Sequence, residues 1–116
     1  MNPTPAVDAE TMAGLRELCP DDPSFLRELI DIFLRDMPER IGEIEHALAK
    51  QDAVLLGRAA HTIKGSCSNF GATGLMKVSL EMEQQGKQAA FAEAAATLPA
   101  LKAELALVAE ALKQFR

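Results

Sequence analysis

The chain has 116 residues and 12.5 kDa, with 48% apolar and 25% charged side chains. That is one domain, long enough for a real core and too apolar to be disordered throughout. Its net charge of −5 (12 basic, 17 acidic residues) argues against nucleic acid as a partner, because phosphate-backbone binding needs a basic face. The lack of Trp and Tyr argues against base-stacking platforms and aromatic ligand cages. No apolar run approaches the roughly 20 residues of a membrane span. The N-terminus carries no basic stretch followed by an apolar one, so no signal peptide is visible. Cys19 and Cys67 do not make a disulfide framework, and a cytoplasmic setting is expected. Abundant alanine and few β-branched residues favour helix over strand.

Residues 1–7, with two prolines, read as a loose leader. Asp8 is a good N-cap, and Met12, Leu15 and Leu18 follow at spacing three in a short amphipathic helix, stopped by Pro20-Asp21-Asp22-Pro23. Asp22 as cap and Pro23 at the first helical position open the next helix. Leu26, Ile30, Phe33, Met37, Ile41, Ile44 and Leu48 then recur at steps of three and four and make a long core stripe. Pro38 inside it predicts a kink or short break near residues 34–38. A second stripe, Phe25, Leu29 and Ile32, is the expected seat of the N-terminal helix.

Gln51-Asp52 marks a turn with Asp52 as cap, and Leu56, Ala60, Ile63, Cys67 and Phe70 form the next inward stripe. Gly71-Ala72-Thr73-Gly74 ends that helix and opens another. Leu75, Val78 and Met82 face inward from that helix, which stops near Gly86. Leu98, Leu101, Leu105, Val108, Leu112 and Phe115 carry the last helix, which starts either at Gln88 with a kink at Pro99 or at Thr97 as cap. Four amphipathic segments with short links predict an all-α, up-down antiparallel four-helix bundle with a short extra N-terminal helix, as one domain over residues 8–116.

The chain has two histidines. His46 has no obvious partner and reads as solvated surface. His61 follows the inward Ala60 and so points out of the core edge. Its neighbours at three and four residues are Gly57, Arg58, Lys64 and Gly65, with Ser68 one turn further on. Each mid-helix glycine costs about 1 kcal/mol relative to alanine. A pair flanking one histidine suggests a trough that lets a bulky partner reach the imidazole. Arg58 and Lys64 form a cationic collar suited to an anion such as a phosphoryl group. Neutral imidazole is a competent nucleophile, and Ser66 or Ser68 could hydrogen-bond phosphoryl oxygens, Ser68 from the better face. The plainer alternative is a surface histidine beside packing glycines and a solvated Lys/Arg pair.

The run Ala60-His61-Thr62-Ile63-Lys64-Gly65-Ser66-Cys67-Ser68-Asn69-Phe70-Gly71-Ala72 resembles the signature of histidine-containing phosphotransfer (HPt) domains. Phe33-Leu34-Arg35-Asp36-Met37-Pro38 is similar to that family as well. The resemblance implies a four-helix bundle whose phospho-accepting residue is His61, carrying the phosphoryl group on Nε2. It implies that Lys64 holds phosphoryl charge and that Gly65 keeps the approach clear. The implied partners are receiver domains of a hybrid histidine kinase and a response regulator. Those partners bring Mg²⁺, an aspartate and a lysine, so the chain itself acts as a phosphocarrier with no cofactor of its own. Cys67 departs from the small residue common at its position and reads as core packing. Gly57 and Arg58 are not strict family positions, and their roles rest on spacing alone.

The function expected is therefore a phosphorelay intermediate, monomeric and free-standing. The alternative is a helical adaptor that binds receiver or kinase domains without being phosphorylated. A two-helix kinase dimerisation domain fits less well. Its histidine is usually followed by an acidic residue, whereas Thr62 follows here, and this chain supplies all four helices itself. Two histidines on different helices give no metal-ligand spacing.

Overall fold

A computed structural model describes residues 6–116. It contains five helices and, among the described residues, no strand: α1 (Ala9–Leu18), α2 (Ser24–Lys50), α3 (Ala53–Ser68), α4 (Thr73–Lys87) and α5 (Phe91–Lys113). Each of α2 to α5 packs on the next, and α5 closes back on α2. The expected bundle with an extra N-terminal helix is thus the observed architecture. No helix of the described residues is long and apolar enough to cross a membrane.

The stripes work as their spacing requires. Leu26, Ile30, Phe33, Met37 and Ile44 of α2 are buried, as are Leu56, Ala60, Ile63 and Cys67 of α3 and Leu101, Val108 and Leu112 of α5. Phe33 and Phe70 meet edge-to-face with centroids 5.4 Å apart, joining α2 to the end of α3. Asp52 caps α3 by accepting from Leu55 N at 3.0 Å. At the start of α2, Asp22 Oδ1 accepts from Ser24 N at 3.1 Å, the bond expected of a cap at Asp22, although the helix is bounded at Ser24 with Pro23 in the cap position.

Three expectations change. The helix α2 runs through Pro38 without a break. In an otherwise continuous helix the proline costs one backbone bond, and burial of Phe33, Met37 and Ile44 on the opposite face outweighs it. Likewise α5 begins at Phe91 and runs through Pro99, so Thr97 is no cap: it is buried, and its hydroxyl donates to Glu93 O at 3.0 Å. On α4 the inward face turns from Val78, which is half-buried, to Ser79 and Glu83, which are buried.

The N-terminal helix α1 packs on α2, the helix expected to receive it, with Phe25 and Leu29 half-buried and Ile32 exposed, and its N-terminal end is tied to the α3–α4 turn. Asp8 N donates to Phe70 O at 3.0 Å, and Asp8 Oδ2 accepts from Thr11 N at 2.8 Å. Met12 is fully buried. Gly71 lies in the left-handed region at φ +63°, and a Cβ there would meet Asp8 Cβ at 2.5 Å, so glycine is required twice over. The leader expected over residues 1–7 falls mostly outside the described residues, but Val7 is buried in the core.

Candidate functional site

The site is built where α3 and α4 come closest. A Cβ on Gly86 would lie 2.7 Å from Gly57 N and 2.9 Å from Gly57 Cα, so the crossing needs glycine at position 86. A Cβ on Gly57 would make only an ordinary 3.7 Å contact with Glu83 O. The two glycines floor an open cavity of about 370 Å³. Val54, Arg58 and His61 line it from α3, and Glu83 and Lys87 from α4. Its floor is backbone, its rim is cationic, and His61 stands at its edge.

The imidazole of His61 is 64% exposed, but one of its nitrogens is held. Nδ1 lies 2.9 Å from Oε2 of Glu83, whose side chain is only 9% exposed. The other carboxylate oxygen, Oε1, accepts from Lys64 Nζ at 2.7 Å, and Lys87 Nζ lies 3.8 Å from Oε2. The Lys64 hydrogen bond is the largest influence on Glu83 and holds its carboxyl below the usual range; burial pushes the other way, and the His61 bond lowers it further. An ionised carboxylate only accepts, so Nδ1 carries the proton and donates it. That selects the tautomer with a free lone pair on Nε2, which makes no hydrogen bond among the described residues.

Among the residues that spacing singled out, Gly57, Arg58 and His61 share the cavity. Lys64 joins His61 only through Glu83 and lies outside the cavity lining. At Gly65 an added Cβ would meet nothing within 4 Å, so that face is open. Ser68 donates its hydroxyl to Gly65 O at 2.7 Å, which occupies the group expected to face an anion. Cys67 is buried and its thiol is pushed up to about 12 by burial, consistent with packing. His46 is exposed surface. Among the described residues no cluster of three or more metal-ligating side chains forms.

Glu83, Gly86 and Lys87 were not singled out by spacing. A signal existed: Ser79, Glu83 and Gly86 fall at i, i+4 and i+7 beside the inward Leu75 and Met82. A small and acidic stripe at core register is unusual and marks a helix face that meets polar groups on its neighbour.

The Hpt domain family matches this chain over residues 28–114. The chain belongs to the Hpt domain family. A solved Hpt structure, histidine-containing phosphotransfer protein B (HptB) from Pseudomonas aeruginosa PAO1, aligns with a TM-score of 0.86 and 31% identity. The alignment covers 97% of this chain and 95% of that one. A search of curated protein sequences gives no match. Family and neighbour together support histidine phosphotransfer in two-component signalling, where Hpt proteins interact with receiver domains.

Proposed function

We propose that this Hpt chain is a phosphorelay intermediate in which His61 takes a phosphoryl group from the aspartyl phosphate of one receiver domain and passes it to another. The observation that carries this reading is the exposed imidazole with Nδ1 held by Glu83 at 2.9 Å. In the forward step the Nε2 lone pair attacks phosphorus. The N–P bond forms, the P–O bond of the acyl phosphate breaks, and the aspartate leaves as carboxylate. The proton stays on Nδ1, so the ring turns cationic as the bond forms. Glu83 faces that developing charge, which is the kind of fixed electrostatic support that lowers a barrier. In the return step the same protonated ring is a good leaving group. The receiver supplies the rest of the chemistry, so this chain acts as a carrier and not as an enzyme. Arg58 is assigned to the phosphoryl charge, Lys64 to holding the Glu83 carboxylate, Gly57 and Gly65 to the partner's approach, and the carrier acts as a monomer.

The test is phosphoryl transfer from a phosphorylated receiver with its Mg²⁺, to wild type and to His61→Gln. Acid-labile, alkali-stable label on wild type alone is expected. Label on His61→Gln refutes the assignment. Absence of label on wild type, with receivers active toward a known carrier, replaces it with the adaptor reading.

A further inference from the structure

We infer that Lys87, on the opposite helix from the histidine, is a phosphoryl-binding residue of phosphorylated His61. The inference rests on the reading of His61 as acceptor and adds a residue that the His61–Lys64 motif does not contain. The His61 imidazole and two lysines share the Glu83 carboxylate, and they are not held alike. His61 Nδ1 and Lys64 Nζ bond it at 2.9 and 2.7 Å, and the Lys64 side chain is 28% exposed. Lys87 Nζ stands 3.8 Å from Oε2 and its side chain is 72% exposed. An exposed pair at that distance is the weakest of the three and the easiest to exchange.

Lys87 is also the lysine on the right side. It lines the cavity beside His61, while Lys64 lies behind Glu83 and off that lining. Lys87 Nζ and His61 Nδ1 converge on the same oxygen, so the two nitrogens are separated by no more than those two legs. A phosphoryl group brings close to two negative charges at neutral pH. The His61 Nδ1–H still needs Glu83 Oε2 once Nε2 is phosphorylated, and Lys64 keeps Oε1. Lys87, on a flexible four-carbon stem, is the group free to turn from the carboxylate to the phosphoryl oxygens. Arg58 faces it from the other wall of the cavity, with no ion-pair partner among the described residues. The phosphoryl group is thereby clamped between α3 and α4.

The test compares wild type, Lys87→Gln, Lys87→Arg and Lys64→Gln, equilibrated with a phosphorylated receiver. Lys87→Gln is expected to shift the equilibrium about 2–5-fold away from phosphohistidine at low salt, with the effect fading at high salt, and Lys87→Arg to restore it. In ³¹P NMR the phosphoryl titration midpoint of phosphorylated His61 should rise in Lys87→Gln, because a nearby cation favours the dianion. A merely structural lysine would not move that midpoint. An unchanged equilibrium and midpoint in Lys87→Gln, beside a changed Lys64→Gln, overturns the inference while leaving His61 as acceptor. Absence of phosphohistidine in wild type overturns both.

Discussion

Replacement of Glu83 by glutamine is the sharpest probe of the site. The side chain keeps its size in a 7% exposed position, so packing is retained while the charge is lost. Three partners are affected at once: His61 Nδ1 at 2.9 Å, Lys64 at 2.7 Å and Lys87 at 3.8 Å. A hydrogen bond to a charged group is worth about 1.5–3 kcal/mol, and the exposure of His61 trims that to about 1–2 kcal/mol of support for the cationic ring. At about 1.4 kcal/mol per tenfold, Glu83→Gln should slow phosphoryl transfer about 5–30-fold. The assay is single-turnover transfer from a phosphorylated receiver. ¹⁵N NMR of His61 supplies a second readout, with the Nδ1–H tautomer dominant in wild type and depleted in the variant. A wild-type ring protonated on Nε2, or a transfer rate unchanged in Glu83→Gln, would refute the assignment of Glu83 as the group that orients the nucleophile.

Gly65 and Gly86 should separate access from packing. Gly65→Ala meets nothing within 4 Å and gains helix propensity, so it should raise stability by up to about 1 kcal/mol in urea unfolding while slowing transfer. Gly86→Ala drives a Cβ into Gly57 backbone at 2.7 Å and should cost about 1–3 kcal/mol in the same measurement. Glu83 has a carboxyl held below its ordinary value of 4.5, chiefly by Lys64, so its contribution to stability is present above about pH 4.5 and lost as pH falls through the depressed value. Urea midpoints below pH 4.5 should therefore fall more gently in Glu83→Gln than in wild type. Native Cys67 should resist thiol reagents up to strongly alkaline pH, because burial pushes its thiol to about 12, while half-buried Cys19 reacts first; mass spectrometry of partly labelled protein checks the order.

Local chemistry made much of this chain legible from its sequence. The cap at Asp8, the cap at Asp52 and the Gly71 turn appear where their residue types placed them, because each is decided within four residues. The stripes through Ile30, Ile63 and Leu101 face the core because apolar spacing at three and four can be buried on one side only. His61, beside the buried Ala60, is exposed for the same reason. Pro38 and Pro99 mark the limit of local rules. Proline disfavours a helix interior, yet tertiary burial along α2 and α5 overrides it.

What stands across from His61 belongs to tertiary structure alone. Residue spacing places Lys64 near His61 but carries no information about which turn of α4 faces α3. That is decided by the Gly57–Gly86 approach, which brings Glu83 within 2.9 Å of the imidazole and sets Lys87 on the far wall of the cavity. The seat of α1 follows the same logic, since its packing on α2 and the bond from Asp8 N to Phe70 O join segments far apart in the chain or across a turn that must form first. The sequence therefore determined the helices, their inward faces and the nucleophile. Helix–helix registry, which depends on crossing distance and azimuth, determined the tautomer of that nucleophile and the charges that surround it.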